Sequence, residues 1–218
     1  MSRSRLLLLV VLGVALCGPA ALASKPRHKR RVALVFPSPA QVAAAKRYVG
    51  SRAGIVSFTV VDPRGKRYSF GDDRQFVSAS VVKAMLMTCL LDIRSLAHEP
   101  LSATDRSELQ AMITLSDNEA ADEIYDEVGD VHLYNLARRL GMRHFSVHGY
   151  WANAELTTND QALLMENLPR AIFPRYYAYA RSLLSSIVSW ESWGIPLRAR
   201  AAGRSSSRAA GAEPIAAS

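Results

Sequence analysis

Phe76-Val77-Ser78-Ala79-Ser80-Val81-Val82-Lys83-Ala84-Met85-Leu86-Met87 is the stretch from which the rest of the chain is read. Ser80 and Lys83 stand three residues apart at the start of an apolar run. On a helix that spacing puts the hydroxyl and the amine on one face. Val82, Met85, Leu86, Cys89 and Ile93 continue the run at helical intervals, which predicts a helix from Ser80 to about Ile93. Burial disfavours a charged lysine, and a helix N-terminus adds a partial positive field. The pair therefore has the make-up of a nucleophile with its base beside it. Alone, S-x-x-K is equally a serine cap followed by a surface lysine, so a second element has to separate the two readings.

That element is Ser116-Asp117-Asn118, set in Met112-Ile113-Thr114-Leu115-Ser116-Asp117-Asn118-Glu119-Ala120-Ala121 and 36 residues beyond Ser80. S-x-x-K followed by S-D-N opens the motif set of class A β-lactamases and penicillin-binding proteins. On these two motifs and their flanks, residues 40 to 196 resemble an exported, class A β-lactamase-like, penicillin-recognising serine hydrolase. The resemblance implies an α+β fold, with a helical lobe packed on an antiparallel sheet. It implies Ser80 as nucleophile and Lys83 as the acceptor of its proton, directly or through a partner. Ser116 would relay a proton between Lys83 and the leaving nitrogen, and Asn118 would hydrogen-bond the amide side chain of the substrate. Asp117 would orient its own loop. The backbone N–H of Ser80 would form half of an oxyanion hole. The implied substrates are β-lactams or peptidoglycan-type amides, with no cofactor and no metal.

The chain departs from that pattern twice. Class A β-lactamases carry an E-x-x-L-N loop, whose glutamate activates the deacylating water, between the second motif and the Thr-Thr helix start. Between Gly141 and Thr157 only Glu155 is present, with no Asn three residues on, and Glu166 lies inside the following helix. This shifts the reading from a true β-lactamase towards a penicillin-binding or peptidase-like relative. The second departure is the third motif, a Lys/His-Thr/Ser-Gly strand, which does not follow Pro196. Residues 197–218 are mostly Ala, Arg, Ser and Gly without an aromatic, a composition that reads as disordered. Read two bases later with one permitted choice of codons, residues 203–214 spell Pro-Val-Phe-Phe-Lys-Gly-Gly-Trp-Arg-Gly-Thr. A frameshift near residues 197–203, truncating the sheet, is the expectation. The alternative function is a catalytically silent pseudoenzyme that at most binds cell-wall fragments.

Composition agrees with one exported domain. The 218 residues are 49% hydrophobic with three Trp, eight Tyr and six Phe, enough for a packed core. The net charge of +8 is terminal: residues 1–31 hold seven Lys/Arg and no acid, residues 197–218 four Arg and one Glu, and the remainder 16 bases against 18 acids. The globular part thus has no basic excess to follow phosphates, which argues against a nucleic-acid partner. Residues 1–23 read as a secretory signal peptide, with Arg3 and Arg5, an apolar run from Leu6 to Cys17, and Ala21-Leu22-Ala23 before the cut. The run is too short for a stable membrane span, so the chain is placed outside the cytoplasm, secreted or in the cell envelope. Residues 24–38 form a basic flexible leader and 39–196 the hydrolase domain, incomplete in its sheet. Cys17 and Cys89 supply neither a disulfide framework nor a metal set, and His132, His144 and His148 read as loop or surface residues.

Along the domain, Ser38 or Pro39 starts a helix to about Val49. Residues 55–62 and 66–70 form a hairpin about Pro63-Arg64-Gly65. Thr104 caps a helix to Leu115, and Asp117 or Asn118 caps another to Val128, ended by Gly129. A further helix from Asp130 stops at Gly141. Thr157 with Asp160 opens a helix to about Leu168, and residues 176–188 form the last.

Overall fold

Helix α1 (Pro39–Gly50) begins where the sequence places it. Ser38 Oγ accepts from Gln41 N at 3.3 Å while Gln41 Oε1 accepts from Ser38 N at 2.7 Å, a reciprocal cap. The computed structural model describes residues 37–190. The expected signal peptide, the leader to Phe36 and the tail with the frameshift expected there fall outside the described residues, as does the domain's edge beyond Trp190.

Strands β1 (Phe58–Val61) and β2 (Arg67–Phe70) form the expected antiparallel hairpin, in register from Phe58↔Phe70 to Val61↔Arg67. Asp62 Oδ1 sets the turn by accepting from Arg64 N and Lys66 N at 2.8 and 2.9 Å. Gly65 has φ 78° there, a conformation that costs a side-chain-bearing residue. A second antiparallel pair, β3 (Phe76–Val77) with β4 (Glu155–Leu156), was not legible beforehand. It is continued by Ser78 N donating to Ala154 O at 2.7 Å.

Helix α2 (Lys83–Leu96) runs through the core, buried continuously from Lys83 to Asp92. Met85, Leu86, Leu90 and Leu91 meet Leu109 and Met112 of α3 (Ala103–Thr114) and Ile124, Leu133 and Leu136 of α4 (Glu119–Leu140) in one apolar cluster. Burying each such side chain contributes about 1.5–3 kcal/mol. Helix α5 (Thr158–Ala171) lies on β1, where Thr59 Oγ1 and Thr158 Oγ1 are 3.0 Å apart, and α6 (Pro174–Ser185) packs on α3. This is the expected α+β architecture, helices packed with small antiparallel sheets.

Several boundaries are corrected. The first turn of the Ser80 helix is a 3₁₀ turn, Ala79–Val82, with the α-helix proper starting at Lys83. The cap of α3 is Ser102, not Thr104: Ser102 Oγ accepts from Asp105 N at 2.9 Å, and Asp105 Oδ2 accepts from Ser102 N at 2.8 Å. Gly129, at φ 58° and ψ 176°, breaks α4 in two as the sequence suggested, and Gly141 closes it in the left-handed conformation. Helix α5 continues through Pro169 to Ala171. Its ring withholds the backbone N–H that would otherwise donate to the Met165 carbonyl. Helix α6 spans Pro174–Ser185 and not residues 176–188; Val188 N has turned away to Thr114 O at 3.1 Å. No helix among the described residues is long and apolar enough to cross a membrane.

Candidate active site

Strand β3 delivers the chain to Ser78, and a sharp turn follows at Ala79 with φ 44°. The 3₁₀ turn that comes next presents Ser80 at the surface while burying Lys83 to 2% exposure. On the other side, α3 ends and Ser116 takes φ 57°. Of three described non-glycine residues with positive φ, two (Ala79 and Ser116) flank the site. Each costs about 1–2 kcal/mol, a strain tolerated because core packing of α2 and α3 fixes both turns.

The left-handed turn at Ser116 brings its carbonyl and its hydroxyl onto Lys83. Lys83 Nζ donates to Ser116 O at 2.6 Å, Asn118 Oδ1 at 2.8 Å, Asp117 O at 3.0 Å and Ser116 Oγ at 3.3 Å. Ser116 Oγ donates to Ser80 Oγ at 2.9 Å. Ser80, Lys83, Ser116 and Asn118 are thus brought together, with Ser116 between the amine and the Ser80 hydroxyl. Asp117 points its carboxylate elsewhere, accepting from Ala120 N in the first turn of α4 at 2.9 Å from the position before the N-cap Asn118.

A cavity of about 360 Å³ opens over Ser80 and Lys83, walled by Met112, Ile113, Leu184 and Ile187. The last two come from α6 and the turn after it; no motif marks them, and their role depends on packing alone. A second cavity of about 390 Å³ lies across Val81, lined by Ile55, Val56, Phe76 and Leu156.

The sequence reading also missed Trp151. Its ring lies beside Lys83, with Nζ 4.9 Å from the ring centroid, and its Nε1–H donates to Asp122 Oδ1 at 2.6 Å. The loop that carries it is fixed at several points. Arg143 N donates to Asp160 Oδ1, Val147 N to Tyr134 Oη and Gly149 N to Asp130 Oδ2, at 3.0, 3.0 and 2.9 Å. Burial and its hydrogen bond to Asp130 push the Tyr125 phenol up. Glu155 sits in the β3–β4 pairing opposite Val77, and Glu166 pairs with Arg67 at 2.6 Å on the hairpin. No group of three or more His, Cys, Asp or Glu able to hold a metal occurs among the described residues.

Residues 98–191 match the β-lactamase enzyme family. Among solved structures, the chain is similar to a β-lactamase from Sphaerobacter thermophilus at 23% identity and TM-score 0.61, over 67% of this chain and 69% of that one. It is similar to the TLA-1 extended-spectrum β-lactamase at 14% identity and TM-score 0.59, over 67% and 68%. It also resembles a PBP-A variant solved as an acyl-enzyme with penicillin G, at 17% identity and TM-score 0.58, over 68% and 69%. No curated protein matches the sequence.

Proposed function

We propose, from the β-lactamase family match over residues 98–191 and the β-lactamase-like fold, that the chain is an exported serine hydrolase that forms an acyl-enzyme on Ser80 with β-lactam or cell-wall peptide-type amides. The observation that carries this reading is the hydrogen-bonded run from Lys83 Nζ through Ser116 Oγ to Ser80 Oγ. As an ammonium, Lys83 has three protons for its three shortest acceptors, the oxygens of Ser116, Asp117 and Asn118. As an amine, it turns a lone pair to the more distant Ser116 hydroxyl.

Acylation then runs in two proton-balanced steps. Ser80 gives its proton to Ser116 Oγ as Ser116 gives its own to Lys83 Nζ, and Ser80 Oγ bonds the carbonyl carbon. The tetrahedral oxyanion collapses, the C–N bond breaks, and the proton returns along the same path to the leaving nitrogen. Asn118 holds Lys83 on one side and faces the substrate's amide on the other. The apolar wall from Met112 to Ile187 receives the body of the acyl group.

The catalytically silent alternative is favoured by one feature: among the described residues no strand follows β4, so no described strand supplies a second oxyanion donor. The test is incubation of the chain with a fluorescent penicillin, followed by intact mass. A single covalent adduct, absent in Ser80→Ala, is the expected result. A chain that binds cell-wall fragments and takes no label supports the silent reading instead.

A further inference from the structure

Trp151 is 2% exposed, although it lies in a loop and not in a regular element of the core. It occupies a single 3₁₀ turn, Trp151–Asn153, packed against the 3₁₀ turn Ala79–Val82 that presents Ser80. Its ring sits against Lys83 Nζ, inside the roughly 6 Å over which an aromatic face attracts an ammonium. The indole is fixed at its other end by the charged acceptor Asp122 in the first turn of α4. A carboxylate on an indole N–H shifts electron density onto the ring, and the bond is of the stronger, charge-assisted kind. Lys83 is therefore held between the oxygens of Ser116, Asp117 and Asn118 and one aromatic surface.

We propose that Trp151, anchored by Asp122, is a positioning residue that holds the Lys83 amine on the Ser116 relay. The inference rests on the reading that Lys83 serves Ser80. The long side chain of lysine has several rotamers, and a displacement of about 1 Å at Nζ breaks a relay whose longest link is already 3.3 Å. The ring removes those alternatives without offering an acceptor that would compete with Ser116. Asp122 keeps the ring from turning. Neither residue touches the Ser80 hydroxyl, so both act on acylation through Lys83.

The experiment compares the full chain with Trp151→Phe, Trp151→Leu and Asp122→Asn, measuring the concentration dependence of Ser80 labelling by a fluorescent penicillin. Trp151→Leu is expected to lower the limiting acylation rate about tenfold, with the reversible binding constant unchanged within about twofold. Trp151→Phe keeps an aromatic face and is expected to stay within about threefold, with Asp122→Asn intermediate. A limiting rate in Trp151→Leu equal to that of the parent overturns the proposal. If Trp151→Leu fails to fold, an unchanged rate in Asp122→Asn does the same.

A second readout does not require activity. The sequence contains only five lysines, so a ¹H–¹³C spectrum of ε-¹³C-lysine protein is simple, and Lys83→Arg identifies the Lys83 signal. That signal is expected upfield under the ring current and should move downfield in Trp151→Leu. If the parent chain takes no label, the hydrolase reading fails while the shielded signal still supports the clamp. A Lys83 signal with no ring-current shift overturns the clamp whatever the labelling shows.

Discussion

Ser116 Oγ donates to Ser80 Oγ at 2.9 Å across 36 residues of sequence, and the contact exists because Ser116 is held at φ 57°. In the proposed reaction position 116 therefore has two separable duties, a backbone turn and a hydroxyl relay. Ser116→Ala keeps a side chain in the strained turn and removes the relay, whereas Ser116→Gly relieves the strain and removes the relay as well. Both are expected to slow Ser80 acylation by about 10²-fold, while only Ser116→Gly is expected to raise the unfolding midpoint. A Gly variant that acylates at the parental rate would show that the turn, and not the hydroxyl, is what matters at this position.

Asp105 gives a pH-dependent prediction about stability. It is 3% exposed, accepts from Arg94 Nε and Nη2 at 3.0 and 2.8 Å, and caps its own helix through Ser102 N. The Arg94 hydrogen bonds hold its carboxyl below the usual carboxylate range. A folded-state pKa that is lowered gives stabilisation that is complete above the unfolded value of about 3.9 and is lost as pH falls through the folded value. Asp105→Asn is expected to cost about 2–3 kcal/mol at pH 7, since Arg94 keeps Glu127 as a partner. Urea titrations from pH 7 to pH 2 should show the gap between parent and variant closing in acid. A gap that stays constant over that range would mean Asp105 contributes packing and not charge.

Features decided by neighbours in sequence were legible from the residues. The caps at Ser38 and Thr157, the hairpin about Gly65 and the stop at Gly141 each follow from local hydrogen bonding or a left-handed residue, and each is where the sequence puts it. Ser102 was missed in favour of Thr104 because Ser-Ala-Thr offers two hydroxyls, and the decision rests on Asp105, which answers Ser102 and also Arg94. The β3–β4 pairing was illegible since two-residue strands have no periodicity. The grouping of Ser80, Lys83, Ser116 and Asn118 could be read only because the two motifs come as a pair. Trp151 comes to Lys83 by tertiary packing, and nothing in Gly149-Tyr150-Trp151-Ala152 announces it.

Cys89 tests how closed the core is around α2. It is 2% exposed, and burial, with Asp92 adding to it, pushes its thiol well above the usual range. Almost no thiolate is then available at pH 8, so alkylation has to wait for opening of the core. Peptide mapping after iodoacetamide treatment is expected to find Cys89 unmodified in native buffer and fully modified in denaturant. Modification of native Cys89 at the rate of a free thiol would mean that α2 opens locally.

The lifetime of the acyl-enzyme depends on where the carboxylates lie. Hydrolysis of an ester on Ser80 needs a base beside the attacking water. The two candidates in this part of the sequence are Glu155 and Glu166, and the structure gives both other settings. Glu166 is committed to Arg67 on the hairpin, and Glu155 belongs to the short β3–β4 sheet. The loop between Gly141 and Thr157, where class A enzymes carry E-x-x-L-N, here brings an indole to Lys83. Once formed, the penicilloyl adduct is therefore expected to persist after free penicillin is removed. Glu155→Gln and Glu166→Gln should each leave its decay within about twofold of the parent, because neither carboxylate activates the water. Glu166→Gln should also cost less than about 1 kcal/mol, its ion pair with Arg67 being partly exposed. The measurement is intact mass against time after rapid desalting. Rapid turnover by the parent chain, slowed in Glu155→Gln, would identify Glu155 as the deacylating base and make the protein a true β-lactamase.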